Sequence, residues 1–244
     1  GGSAACRILL TSSGLTQPPF QQAFASLLAA RRPGGGAKVV YIPDAAVGNG
    51  CDAAAAHAVA AEQLAALGAP DVHCLELRAT APEALAQHLE GVDCVYVEMG
   101  NTYYLRYYMH VSGFDRLVQH LVRELGVVYV GSSAGSIAAG RSISIAFWKG
   151  WDDPGYGQEW DLQRLGYAGL DLLPGGRCVF PHYASQWRNL VDARRGELDG
   201  EVVLLDEDHA YLVDGDREEL LPLPAPLARS STGGWSTPPQ AVQH

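Results

Sequence analysis

Residues Val127 to Gly140 read VVYVGSSAGSIAAG, an apolar run followed by small residues that carry three hydroxyls and then by a helix-forming stretch. Within it, Gly131-Ser132-Ser133-Ala134-Gly135 matches the Gly-x-Ser-x-Gly pattern. In that pattern flanking glycines allow a sharp strand-to-helix turn and the central serine projects from a strained backbone. The spacing selects Ser133, rather than Ser132 or Ser136, as a candidate nucleophile. The next amide, that of Ala134, falls at a helix start, where its N–H is unpaired and can donate to a developing oxyanion. The plainer alternative is a small-residue turn that lets a helix pack closely on a strand.

A serine hydroxyl needs a base to take its proton, and an imidazole, with an ordinary pKa of about 6.5, suits that role. His182 follows the apolar run CVFP, and Asp206 and Glu207 follow VVLL, so each comes just after an expected strand, as Ser133 does. Gly100 follows DCVYVEM in the same way. Groups past the carboxyl ends of parallel strands collect along one edge of a sheet, where open α/β folds place their sites. A carboxylate at that edge can orient the imidazole and stabilise its protonated form. Taken singly, His182 also fits a backbone-bonded histidine at the edge of the core, and DEDH fits a solvated hairpin turn. His209 beside these acids is a weak metal signal, because no partner cluster occurs elsewhere. Tyr103, Tyr104, Tyr107 and Tyr108 have the spacing of a helix face and read as packing residues.

The elements that must position these groups follow from the hydrophobic pattern. Strands are expected at Arg7 to Leu10, Val39 to Ile42, Val72 to Leu77, Cys94 to Val97 and Val127 to Val130. Helices are expected at Phe20 to Arg32, Ala53 to Leu67, Pro82 to Leu89 and Tyr104 to Leu125. Strands apolar on successive residues and separated by helices imply a mostly parallel sheet covered on both faces, and right-handed crossovers make it a doubly wound α/β fold. After Gly140 the segment SISIAFWKGWDDPGYGQEWD combines a candidate strand with a loop rich in aromatics, glycine and acids, which suits an ordered site wall. EVVLLDEDHAYLVDGD reads as two strands around an acidic turn, and a Pro/Ser/Gly-rich tail follows from about Leu221.

The chain has 244 residues, enough for one large domain, which we place at residues 6–220, with a loosely ordered tail at 221–244. Gly1-Gly2-Ser3 reads as a cloning scar, so residues 1–5 are set apart from the fold. A formal charge of −10 and scattered arginines lack the basic footprint of a nucleic-acid binder. No apolar run approaches the roughly 18 to 20 residues needed to span a bilayer. Five separated cysteines, without zinc-ligand spacing, fit a reduced, cytoplasmic compartment and no metal. A cleaved organelle-targeting segment would leave no trace here.

These segments together resemble the peptidase E family of serine peptidases, which includes aspartyl dipeptidases and the related cyanophycinases. The likeness runs over most of residues 6 to 215: the opening strand and helix, GNT at Gly100 to Thr102, GSSAGS at the elbow, GLDLLPGGRCVFPHY around His182, and LLDEDHAYLV near the end. The resemblance implies a sandwich similar to the class I glutamine amidotransferases, no cofactor and a small peptide substrate. It assigns Ser133 as nucleophile, His182 as base and Glu207 as third member, with the Gly100 and Ala134 amides as oxyanion hole and Asn101 and Thr102 lining the substrate pocket. Arg188 is the candidate reader of a substrate aspartate. The chain departs from the family's glycine run at Val97-Glu98-Met99-Gly100, and its segment after His182, ASQWRNLVDARR, is shorter than in the dipeptidases and is partly similar to cyanophycinases.

The expectation is therefore a serine peptidase cleaving N-terminal aspartyl dipeptides, as a monomer or homodimer. Cyanophycinase-like cleavage of β-aspartyl linkages is the alternative within the family. Of another class are a non-catalytic peptide-binding relative and a flavin or nucleotide module, the latter suggested by TSSGLT at Thr11 to Thr16, which also reads as a capped helix start. An α/β-hydrolase runs serine, acid, histidine and carries an HGGG-type oxyanion loop; here His182 precedes Glu207 and no such loop occurs, so that fold would need His209 as base with an acid such as Asp152 or Asp192, and it ranks third.

Overall fold

The computed structural model describes residues 5–221. The expected cloning scar and the tail beyond Leu221 lie outside the described residues. The first half alternates as the hydrophobic pattern requires: β1 (Arg7–Thr11), α1 (Pro18–Arg31), β2 (Lys38–Ile42), α2 (Asp44–Gly48), α3 (Ala53–Ala66), β3 (Asp71–Cys74), α4 (Pro82–His88), β4 (Cys94–Val97), α5 (Thr102–Val111), α6 (Phe114–Arg123), β5 (Val128–Ser132) and α7 (Ala134–Ala139). The local chemistry starts these helices. Pro18 and Pro19 open α1 with a preset φ, and the Asp52 side chain caps α3 by accepting from the Ala55 amide at 2.8 Å.

After α7 come β6 (Cys178–Phe180), α8 (Arg188–Arg194), β7 (Val202–Leu204), β8 (Ala210–Asp214) and β9 (Arg217–Leu221). Seven strands form one sheet in the order β3-β2-β4-β5-β1-β8-β9. The first five are parallel, and β8 and β9 close the other edge antiparallel. This is the doubly wound, mostly parallel α/β fold, with helices on both faces. Alternation along the strands divides the core. Ile8, Leu10, Val40, Ile42, Val95 and Val97 face α4, α5 and α6, whereas Leu9, Val39, Tyr41, Tyr96, Val128 and Val130 face α1 and α3. Full burial of each such side chain stabilises the fold by about 1.5–3 kcal/mol.

Three expectations differ from the structure. The single helix expected over Tyr104 to Leu125 is two, α5 and α6, because Gly113 takes a left-handed φ of 78° and the Ser112 hydroxyl accepts from the Phe114 amide at 3.3 Å, turning the chain. The candidate strand in SISIAFW is a 3₁₀ turn, Ser144–Phe147. The two strands flanking the acidic turn do not pair with each other. β7 lies parallel to β6 in a separate two-stranded sheet, while β8 pairs with β1 and β9. A third apolar cluster, including Tyr103, Ile137, Trp148, Phe180 and Val191, fills the space between this small sheet and the loop after α7.

The helix that follows Ser133 packs against the sheet with no room to spare. A Cβ at Gly135 would sit 2.3 Å from the Val97 carbonyl oxygen, whereas one at Gly196 would meet nothing within 4 Å. Overpacking of this kind costs about 1–3 kcal/mol. Gly135→Ala is therefore expected to lower the melting temperature by several degrees and Gly196→Ala to leave it nearly unchanged, as measured by thermal unfolding.

Candidate active site

Ser133 occupies the turn between β5 and α7 with φ 44° and ψ −99°, outside the comfortable region for a side chain. It is partly exposed, while Ser132 and Ser136 are fully buried. Ser136 holds the fold together: its hydroxyl accepts from the Thr11 amide at 3.2 Å and lies 2.7 and 2.8 Å from the Thr11 and Gly131 carbonyls, tying α7 to β1. The Ser133 amide donates to the Thr11 carbonyl at 3.0 Å.

His182 stands two residues past β6 and Glu207 three past β7, so the parallel pairing of these strands brings both to one edge. His182 Nε2 is 2.9 Å from Ser133 Oγ, and His182 Nδ1 is 2.5 Å from Glu207 Oε1. An ionised carboxylate only accepts, so the ring proton sits on Nδ1 and the lone pair of Nε2 faces the serine hydroxyl. Burial raises the Glu207 pKa, but hydrogen bonds from Ser13 and His182, and the charges of His182 and Lys149, outweigh it and hold the carboxyl below its ordinary range. Asp206 faces elsewhere: its Oδ1 accepts from the Asp208 amide at 2.9 Å and lies 2.6 Å from His209 Nδ1.

His182 also has a positive φ, 51°. Only three described non-glycine residues do, and two of them are Ser133 and His182. Such conformations cost of order 1–3 kcal/mol each and persist only where the surroundings fix them. Sequence reading missed the groups that do so. Ser12, 1% exposed, accepts from the His182 amide at 2.9 Å and donates to the Leu205 carbonyl at 3.0 Å, and Ser13 donates to Glu207 Oε2. The hydroxyl-rich loop TSSGLT thus turns inward to these residues. Its signal in the sequence was two serines at the carboxyl end of β1, the strand paired with β5.

A cavity of about 40 Å³ opens beside Ser133, lined by Thr102, Ile145, Lys149, Trp151, Asp152 and Phe180 among others. The aromatic loop after α7 forms its wall, with the Trp151 ring 5.8 Å from those of His182 and Trp187. Asp152 Oδ2 accepts from the Thr102 amide at 2.9 Å, and burial raises its pKa.

The remaining expected residues are placed unevenly. Thr102 lines the cavity. Asn101 is 1% exposed, and its side chain is already engaged: Oδ1 caps α5 by accepting from Tyr103 and Tyr104, both at 2.9 Å, and Nδ2 donates to the Asp153 carbonyl at 2.9 Å. Gly100, with φ 141°, presses against α2, where a Cβ would meet the Ala45 oxygen at 2.1 Å. Glu98 turns to the Tyr41 hydroxyl at 2.8 Å and the Met99 amide at 2.8 Å. Arg188 begins α8, exposed and outside the cavity lining. Among the described residues, no group of three or more His, Cys, Asp or Glu is arranged to hold a metal ion, and no helix is long and apolar enough to cross a membrane.

Fold and site together are an α/β sandwich with a serine, an imidazole and a carboxylate in line at one edge. The sequence profile of peptidase family S51 matches residues 8–221, and the chain belongs to that family. The uncharacterized peptidase Lin0382 of Listeria innocua serovar 6a is 29% identical over 109 residues, 45% of this chain and 48% of its own, so the match spans about half of that relative. Among solved structures, a protein of Listeria monocytogenes EGD-e ascribed to peptidase E superposes with a TM-score of 0.68 at 21% identity, over 91% of this chain and all of that one. A peptidase from an acI-B1 Actinobacterium gives 0.65 at 16% identity, over 91% and 89%. These two likenesses establish the fold.

The Ser12 hydroxyl is a buried link from the loop after β1 to the ends of both β6 and β7. Its loss strands the His182 amide, at a cost of about 1–3 kcal/mol for an unsatisfied buried donor. Ser12→Ala is expected to lower the melting temperature by several degrees, whereas Ser13→Ala, at a more accessible hydroxyl, changes it little. Parallel thermal melts of the two variants check this.

Proposed function

We propose that this peptidase is a serine enzyme that hydrolyses small peptides through Ser133, His182 and Glu207, acting on N-terminal aspartyl residues. The single observation that carries the reading is the unbroken chain from Ser133 Oγ through His182 to Glu207, at 2.9 and 2.5 Å. Ser133 Oγ attacks the scissile carbonyl while His182 Nε2 takes its proton, and Glu207 stabilises the imidazolium that forms. The oxyanion meets the amides of Gly100 and Ala134. Collapse of the tetrahedral intermediate passes the proton from Nε2 to the leaving amine. Water then hydrolyses the acyl-enzyme by the same steps in reverse.

The aspartyl preference rests on size, on charge and on the family likeness. A cavity of about 40 Å³ suits a short side chain, and among the described residues the exposed guanidinium of Arg188 has no ion-pair partner. It follows Trp187, whose ring borders Trp151 at the rim, and a guanidinium can meet a carboxylate through two charge-assisted hydrogen bonds.

A fluorophosphonate probe is expected to label the wild type and not Ser133→Ala, with Ser132→Ala labelled nearly as well as wild type. Labelling of Ser133→Ala at the wild-type rate would remove the nucleophile assignment. Glu207→Gln is expected to lower kcat severely, by up to about 10⁴ as orienting acids can, and Asp206→Asn mildly. The reverse order in a kinetic comparison moves the acid by one residue.

For substrate, Asp-anilides are expected to be cleaved roughly several-fold better than Asn-anilides, since an ion pair with an exposed guanidinium contributes about 1 kcal/mol or less. Arg188→Met is expected to abolish that preference selectively. A panel in which Leu- or Ala-anilides are cleaved as well as Asp-anilide overturns the aspartyl assignment and leaves the serine-peptidase reading in place. His182→Ala is expected to remove most of kcat/KM, and a variant that keeps the wild-type rate contradicts the role of base.

A further inference from the structure

Lys149 is one of only two lysines in the chain, and it lies in the wall of the cavity that holds Ser133 and His182. Its Nζ donates to the Pro181 carbonyl and, at 3.1 Å, to the carbonyl of His182 itself. Three rings surround the ammonium: Phe180 at 4.2 Å, Trp151 at 4.3 Å and Trp187 at 5.6 Å from the ring centres. A lysine held this way has given up most of the rotamer freedom that usually keeps its head in water. Charge over the ring faces, and two carbonyl acceptors, offset part of the desolvation.

The backbone it grips is the strained one. His182 has φ 51°, and its amide is held from one side by the Ser12 hydroxyl. Lys149 holds the carbonyl on the other side of the same residue. With both flanking peptide units fixed, the Cα–Cβ direction of His182 is fixed as well, and so is the approach of Nε2 to Ser133.

We propose that Lys149 is a positioning residue for the serine-peptidase reaction, clamping the Pro181–His182 backbone from an aromatic box so that the His182 imidazole meets Ser133 in register. The inference rests on the reading of Ser133 and His182 as nucleophile and base. Arg188 remains the reader of the substrate carboxylate, and Lys149 acts on the rate of proton transfer rather than on the choice of substrate.

The clamp depends on charge. Burial lowers the Lys149 pKa to about 8, with Glu207 and Asp152 pulling it back upward. The titratable groups facing it are thus Glu207 on the loop after β7, Asp152 on its own loop and His182 after β6. Below about pH 8 the ammonium is charged, donates to the Pro181 and His182 carbonyls, and is attracted by both carboxylates and by the rings. Above it the neutral amine keeps weaker hydrogen bonds and loses the cation–π attraction. The expected result is therefore a fall in kcat as pH rises through the alkaline side.

The test uses the full chain, an Asp-anilide, a neutral Ala-anilide and a fluorophosphonate probe, with Lys149→Met and Lys149→Arg. Lys149→Met is expected to lower kcat at least tenfold on both anilides, with KM within about threefold, and to slow probe labelling of Ser133 to the same degree. Lys149→Arg, which keeps its charge far above pH 8, is expected to recover part of kcat and to lose the alkaline fall. Selective loss of Asp-anilide cleavage with unchanged labelling overturns the proposal and makes Lys149 a substrate contact. Labelling of Lys149→Met at the wild-type rate also overturns it. If Lys149→Met fails to fold by circular dichroism, Lys149→Arg decides, and an alkaline fall unmoved from that of the wild type is the refuting result. Absence of probe labelling in the wild type would instead refute the serine-peptidase reading, so the two failures are distinguishable.

Discussion

The parallel pairing of β1 with β5 places Thr11 beside Ser132, and from that register follows the geometry of the site. One step beyond it the chain turns at Ser133 on one strand and at Ser12 on the other, with the Ser133 amide donating back to the Thr11 carbonyl at 3.0 Å. Ser136 ties α7 to the same residue, so the turn is held on both sides of β1. A one-residue slip would swap the two faces of β1 and force Leu9 and Leu10, each fully buried on opposite sides of the sheet, into packing shaped for other side chains. The register is therefore costly to lose. Ser12 and Ser13 then reach from the large sheet to the small one and fix His182 and Glu207.

Two sheets must therefore agree for three side chains to line up. β5 belongs to the seven-stranded sheet, while β6 and β7 form their own parallel pair. The join between α7 and the small sheet is tight where it matters: a Cβ on Gly140, at the end of α7, would lie 3.1 Å from the Arg177 carbonyl just before β6, and the Arg141 amide donates to that same carbonyl at 2.9 Å. Rigid support of this kind is what allows Ser133 and His182 to keep backbones with positive φ. Strain of order 1–3 kcal/mol at each is tolerable only where neighbouring hydrogen bonds leave no relaxed alternative.

The chain as a whole is acidic, with a formal charge of −10, yet its cavity sets Lys149 among three rings next to the His182 carbonyl. Local desolvation and specific partners, rather than the net field, govern the charge state of groups at the site. Glu207 lies below its ordinary pKa because donors converge on it despite partial burial, whereas Asp44, fully buried under the loop after β3, is pushed up to about 6 even though it accepts from the Leu77 and Arg78 amides. A carboxyl group is thus shifted in either direction by the balance of burial and donors.

Much of this was legible in the sequence, and the reasons are local. Apolar runs of four or five residues between helical patterns specify parallel strands, because a strand buried on both faces cannot alternate. β4, expected and observed at Cys94–Val97, is fully buried throughout. The small residues around Ser133 specify its turn, because only glycine fits where a Cβ at Gly135 would strike the Val97 carbonyl. His182 and Glu207 could be placed after strands, but not in a sheet of their own. Pairing is a contact between segments about 25 residues apart, and the hydrophobic pattern of β7 reads the same whether its partner is β6 or β8. The break between α5 and α6 was likewise hidden, since Ser112-Gly113 is tolerated within a helix until packing on the core demands a turn. What only the tertiary structure decided is which polar groups serve the site. Ser12, Ser13 and Lys149 are ordinary residues in the sequence: Ser12 lies 170 positions from the His182 it holds, Ser13 lies 194 from Glu207, and Lys149 lies 33 from His182. Asn101, which the family likeness sends to the substrate pocket, has its side-chain oxygen and nitrogen both taken up by backbone. A hydroxyl or an ammonium acquires its role from the partners that folding brings within hydrogen-bonding distance, and a linear pattern holds no record of those distances.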